Sequence, residues 1–226
     1  MNKKIILSAV IAMLSIVSLH AQEDNAALRD SLSHATEQLS FHPDSIDLRL
    51  RKASWNLRLE QWSYAKNEYD AVLSQNPSNV AALYFRAFVN EKLHRFNFAR
   101  VDYENLLRLV PGHFEARLGL ALLNQKDKHY TEALDDINAL ATAHPDSAIV
   151  WAARAGMEYE QGMLDLAEYD YTQALNLDIN NGDYLLCRAD IRIKLQKFDL
   201  ARQDLDAIVR QGTPRLALKE WYDQCR

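Results

Sequence analysis

Apolar positions in this chain recur at helical spacing, and polar turns interrupt them at regular intervals. In the stretch 80–111, Ala82, Val89 and Leu93 share one face of a helix. A polar turn, "HRFN", follows at 94–97. Ala99, Tyr103, Leu106 and Leu107 then line a second amphipathic helix, and Pro111 ends it, because proline lacks the amide donor and turns its predecessor away from helix. The same helix-turn-helix pattern returns every 34 residues. Pro43, Pro77, Pro111 and Pro145 keep that interval, as do Ala53, Ala87, Ala121, Ala155 and Ala189. A second alanine column holds Ala65, Ala99, Ala133, Ala167 and Ala201. A bulky column holds Trp62, Phe96, Tyr130, Leu164 and Phe198, and another holds Tyr69, Tyr103, Ile137, Tyr171 and Leu205. Five units follow: 46–79, 80–113, 114–147, 148–181 and 182–213. Alanine on each helix lets two antiparallel helices approach closely, with the bulky columns filling the space beyond.

The ends differ from the repeats. Leu28, Leu32, Ala35 and Leu39 form an apolar stripe within 22–45, which reads as a short loose tail at 22–26 and a helix that caps the first unit. After Gly212 and Pro214, "RLALKEWYDQCR" predicts a C-terminal capping helix within 214–226. Residues 1–21 do not fit the repeat. Lys3 and Lys4 precede an apolar run from Ile5 to Leu19, and Ala21 offers a small residue for cleavage, the pattern of a secretory signal peptide. That run is shorter than the roughly 20 residues a spanning helix needs, so no membrane span is expected once the signal is removed. The signal has a bacterial form, which places the mature chain in the periplasm or outside the cell. Cys187 and Cys225 would then meet oxidising conditions, either as one disulfide or as two separate buried thiols.

Comparing the units with one another exposes a charge pattern. Lys52, Arg86, Leu120, Arg154 and Arg188 each precede the first alanine column by one residue. Glu68, Asp102, Asp136, Asp170 and Asp204 each precede the Tyr69 column by one. Four units therefore pair a cation with an acid: Lys52 with Glu68, Arg86 with Asp102, Arg154 with Asp170 and Arg188 with Asp204. A row of charges for a ligand is one reading. A structural ion pair between the two helices of each unit is the favoured one, since the pair repeats without regard to position. Asp136 faces Leu120 and should lean on a neighbouring unit or on water.

These alanine, aromatic and proline columns at a 34-residue interval resemble the tetratricopeptide repeat family over 46–213. The resemblance implies an all-α fold, a right-handed superhelical solenoid of helix-turn-helix repeats with N- and C-terminal capping helices. Ala stands wherever the family often has Gly at the closest helix crossing, and Ile179 replaces the closing proline of the fourth unit. The family's first helices line a concave groove, which would place Leu50, Leu57, Tyr84, Phe88, Leu118, Leu122, Tyr159, Leu186 and Ile193 on its wall. An apolar stripe with charged edges suits an extended peptide or amphipathic helix; the alternative is an inner wall packed only on itself. The carboxylate clamp of some relatives is absent, since Leu50, Ser54, Phe85, Glu115 and Gly119 stand at the matching places.

Composition narrows the function. Net charge is −5, and −7 without residues 1–21, which opposes a nucleic-acid footprint. The seven His fall mainly in the signal and in turns, with no pair spaced as zinc ligands on one helix, so no metal and no cofactor are expected. There is no phosphate-binding glycine loop and no nucleophile elbow. The chain therefore reads as a non-enzymatic, exported scaffold or adaptor with a protein or peptide partner. The runners-up are a self-associating homo-oligomer with its groove filled by a second copy and a small ligand-binding or catalytic protein.

Overall fold

The computed structural model describes residues 25–225, so the expected signal at 1–21 lies outside the described residues. Among those residues the regular structure is all helix, with no strand. A helix, α1, covers 25–41, so residues 25 and 26 of the expected loose tail are already helical. Five helix pairs follow: α2 Ile46–Arg58 with α3 Trp62–Gln75, α4 Val80–Lys92 with α5 Phe96–Leu109, α6 Phe114–Lys126 with α7 Tyr130–Ala143, α8 Ala148–Glu160 with α9 Leu164–Leu177, and α10 Gly182–Lys194 with α11 Phe198–Arg210. A 3-10 turn at Arg215–Leu218 leads into α12, Lys219–Gln224. The chain forms two compact units, one ending at Pro111 and the other beginning at Gly112. The fold class is an all-α solenoid of helical repeats.

Local sequence accounts for the boundaries. Ser45, Asn79, His113 and Asn181 precede first helices, and each side chain accepts a hydrogen bond from a backbone N–H of the first turn. At the far end every first helix closes in the same way. Glu60, His94, Lys128, Gly162 and Gln196 all have positive φ, between 56° and 76°. The next residue's N–H returns to a carbonyl in the last turn, as from Arg95 to Asn90 at 2.8 Å. This is a left-handed helix stop, which only Gly162 adopts without steric cost.

The alanine columns are at the centre of the packing. Every member of both is at most 1% exposed. Val89, Leu123, Met157 and Ile191 fill a further buried column one residue before a polar one. The C-terminal segment continues this register: Cys225 lies 34 residues after Ile191 and is 1% exposed. Cys187 and Cys225 are both free thiols, Cys187 exposed and Cys225 buried.

The cation column bonds in two directions. Lys52 Nζ lies 2.7 Å from Glu68, Arg86 Nη2 2.6 Å from Asp102, Arg154 Nε 2.5 Å from Asp170 and Arg188 Nη2 2.7 Å from Asp204. Each arginine also donates to the preceding repeat: Arg86 to Asp70 at 2.8 Å, Arg154 to Asn138 at 3.1 Å and Arg188 to Thr172 at 3.1 Å. Tyr222 stands at the next place in that column, and its hydroxyl donates to Asp206 at 2.6 Å. Asp136, opposite Leu120, is served from within its own repeat, where Arg117 lies 3.8 Å away. Where a neighbouring unit or water was expected, an arginine one helical turn before Leu120 stands beside the acid, at the place where the first repeat has Arg49 bonded to Glu68. 

Removing Arg86 should be costly, because Asp102 has a 2% exposed side chain and would keep only Asn90 as a hydrogen-bond donor among its side-chain partners. We expect Arg86→Ala to lower stability by about 3 kcal/mol or more. The double variant Arg86→Met, Asp102→Leu should lose clearly less than the two single changes together in urea unfolding. Strict additivity would show that the two side chains are not coupled.

Candidate functional site

Stacking consumes the alanine and arginine sides of the first helices and leaves another side facing outward from the core. In the first unit that side carries Leu50, Leu57, Tyr84 and Phe88, all half-buried. Phe88 meets Trp62 edge-on, with ring centroids 6.2 Å apart. The Lys92 ammonium lies over both rings, 5.1 Å from Phe88 and 5.9 Å from Trp62. Tyr84 is held edge-on between Phe85 at 5.2 Å and Tyr103 at 6.2 Å. These contacts hold the rings in place.

In the second unit Leu122 is 41% exposed, while Tyr159 and Leu186 are half-buried. Tyr159 donates to Asp190 at 2.6 Å, and Lys194 lies 3.3 Å from the same carboxylate and 4.1 Å over the Tyr159 ring. Tyr159, Tyr171, Leu186, Ile191 and Trp221 wall a mainly apolar cavity of about 270 Å³. Trp221 comes from α12, which the sequence marks only as a cap.

Two of the nine expected groove residues are not available. Leu118 is 8% exposed and lies in a buried cluster with Ala121, Ile137 and Met157, against which Ala153 of α8 also packs. Ile193 is 9% exposed and joins a cluster with Leu205, Leu218 and Cys225, because the C-terminal segment packs into the same core. The other seven keep some exposure. A cation closes four of these faces, since Arg58, Lys92, Lys126 and Lys194 stand exposed at the ends of first helices, with Glu160 in the fourth repeat. Cations there also complement the helix dipole.

One polar column escaped the sequence reading. Asn56, Asn90, Asn124, Glu158 and Arg192 share a register, and the first four are buried. The signal was a polar residue returning every 34 positions beside a buried apolar column. Glu158 is the anomaly, a carboxylate where three earlier repeats carry an amide. Its Oε2 atom is buried without a hydrogen-bond partner, and Arg154 Nε is 4.0 Å from its other oxygen. Burial pushes its pKa up to about 7, and the neighbouring Asp170 charge adds to the rise while Arg154 opposes it. Among the described residues no three His, Cys, Asp or Glu side chains gather as metal ligands, and no helix is long and apolar enough to cross a membrane.

Glu158 therefore makes stability depend on pH. The folded state holds its proton up to about pH 7, while the unfolded chain releases it near the ordinary value of 4.5. Folded protein binds more protons in this window, so stability falls as pH rises through it. Glu158→Gln should melt higher than the parent at pH 8, and the gap should shrink toward pH 5. Thermal unfolding at the two pH values checks this; an equal gap at both would remove Glu158 as the cause.

Comparison with known proteins agrees with this architecture. Residues 125–184 match the family model of the tetratricopeptide repeat. No curated protein matches the chain. A solved tetratricopeptide repeat protein from Parabacteroides merdae ATCC 43184 is 24% identical, with a TM-score of 0.70 over 90% of this chain and 80% of that one. MamA from Desulfovibrio magneticus RS-1 is 17% identical, with a TM-score of 0.67 over 75% of this chain and 97% of that one. YrrB, a TPR protein with an unusual peptide-binding site, is 17% identical, with a TM-score of 0.60 over 82% of this chain and 96% of that one. At these identities the likeness is one of fold.

Proposed function

We propose that the chain is an exported adaptor whose first-helix faces hold a segment of a protein partner. One observation carries the reading. In both units large apolar side chains stand partly exposed at positions that stacking does not use, and a cation borders most of them. Tyr84 and Phe88 in the first unit, and Leu122, Tyr159 and Leu186 in the second, would bury against apolar side chains of the partner. The cations Arg58, Lys92, Lys126 and Lys194 would meet acidic residues flanking them. YrrB lends support to a peptide as the class of ligand. Export rests on the sequence alone, on Lys3 and Lys4, the apolar run Ile5–Leu19 and Ala21, and it implies a periplasmic or secreted setting.

Photo-cross-linking tests the binding face. A benzophenone amino acid at Leu57 or Leu122 should capture a discrete partner in cells that express the protein. Tyr84→Ala, Phe88→Ala should reduce capture from Leu57 by roughly tenfold or more, the effect of losing aromatic anchors. Asn67→Ala, on an exposed part of α3, should leave it unchanged. Equal capture by all three proteins would move the site elsewhere. Intact-mass measurement of the protein from its native host should find Gln22 at the N-terminus; retention of Met1 would count against cleavage.

A further inference from the structure

The first unit contains a second cleft, on another side of α4 from Phe88. Arg86 and Asn90 are each two residues from Phe88, which turns them about 200° around the helix axis. The cleft lies where α3, α4 and α5 meet and has a volume of about 380 Å³. Lys66, Asp70, Arg86, Asn90, Arg95 and Asp102 line its polar part, and Phe98 and Val101 its rim. Three cations face two carboxylates there, in a chain that is acidic as a whole.

Most of these charges serve one another. Arg86 bonds to Asp70 and Asp102, and Lys66 lies 2.6 Å from Asp70. Two groups are left over. Asn90 is 1% exposed and uses its Nδ2 on Asp102 at 3.2 Å, while its Oδ1 is buried with no partner. Arg95 is exposed, and its guanidinium makes no hydrogen bond or ion pair among the described residues. Beside them Phe98 is 64% exposed and Val101 51%.

The fifth repeat shows how the chain fills the same place with its own atoms. Three repeat lengths after Lys66, Asn90 and Arg95 stand Glu168, Arg192 and Lys197. The Glu168 carboxylate accepts from Arg192 Nε at 2.8 Å and from Lys197 Nζ at 2.5 Å. Burial pushes the Glu168 carboxyl up, yet the hydrogen bonds from Lys197 and Arg192 outweigh it and hold the pKa below its ordinary value. The surrounding frame is shared, since Arg188 and Asp204 repeat the bonded pair Arg86 and Asp102. In the first unit the carboxylate of this arrangement is missing, because Lys66 stands in its place.

We propose that this cleft receives a carboxylate from outside the chain, the side chain of an acidic residue in an exposed segment of a protein partner. Arg95 takes the carboxylate, as its counterpart Lys197 takes Glu168, and Lys66 shares its three N–H donors between Asp70 and the incoming group. A backbone N–H of the segment supplies the donor that Asn90 Oδ1 lacks. A bulky apolar residue next to the acid covers Phe98 and Val101. The site is separate from the Tyr84 and Phe88 face, so each can fail without the other.

Nuclear magnetic resonance on the ¹⁵N-labelled full chain tests this. The probes are N-acetyl-Leu-Glu-Leu-amide, its Gln counterpart, and N-acetyl-Leu-Leu with a free terminal carboxylate. The Glu peptide should shift the Arg95 Nε–H and Asn90 side-chain amide signals, with an affinity on the order of 1 mM. The Gln peptide should bind roughly tenfold more weakly, having lost its charge-assisted bonds. Arg95→Ala should weaken the Glu peptide by a similar factor with an unchanged melting temperature, since Arg95 is exposed. Lys66→Glu places a carboxylate at the Glu168 position and should abolish binding. Equal shifts from the Gln peptide, unchanged binding by Arg95→Ala, or no shift at about 10 mM peptide would overturn the proposal. Equal or tighter binding of the terminal carboxylate would overturn the assignment to an acidic side chain.

Discussion

The close approach of paired helices at two alanine columns governs the rest of this molecule. Ala87 on α4 and Ala99 on α5 are both fully buried, and their counterparts are the same in every repeat. A larger side chain at either place would push the helices apart, and interiors this dense have no slack to absorb it. The short separation also brings Arg86, one residue before Ala87, onto Asp102 across the pair. A buried acid in such a place must be paired, because an isolated charge out of water is expensive. The same arginine has a third group of donors to spare, and it spends them on the preceding repeat at Asp70. One residue thus ties a helix pair together and ties that pair to its neighbour.

Stacking leaves different sides of the repeat free, and the two proposed sites follow from this. First helices keep one face with large side chains such as Phe88 and Leu122, which no neighbouring column requires. The side occupied by the arginines is normally closed by the chain's own groups. In the fifth repeat Arg192 and Lys197 close on Glu168; in the second, the shorter Asn90 and the unpaired Arg95 leave an opening. The buried column Asn56, Asn90, Asn124, Glu158 and Arg192 is where repeats of one backbone diverge in chemistry. At Glu158 the divergence gives a buried acid that titrates near neutrality.

The helix pairs and their register were legible in the sequence, because each pattern recurs five times. The uncovered face of the first helices was legible only in part. Tyr84, Phe88 and Leu122 keep some exposure, but Leu118 and Ile193 do not, although Leu118 has the same helical address as Tyr84 and Ile193 the same as Tyr159. Leu118 is covered in a cluster that Met157 and Ala153 of the next repeat help to form, and Ile193 in one that the C-terminal segment completes with Leu218 and Cys225. Asp136 likewise finds Arg117 in its own repeat rather than a neighbour.

By itself the sequence determined the all-α repeat, the places where its helices start and stop, and the pairing of Arg86, Arg154 and Arg188 with their acids. These depend on periodicity, on capping residues and on partners at a constant spacing, all of which lie within one repeat. Only the tertiary structure decided which apolar side chains remain uncovered, that Trp221 helps to wall a cavity, and that Asn90 and Arg95 are left without a carboxylate between them. The physical reason is that exposure and unsatisfied bonding are properties of what lies against a residue. That neighbour comes from another helix, and its size and charge change from one repeat to the next while the register does not.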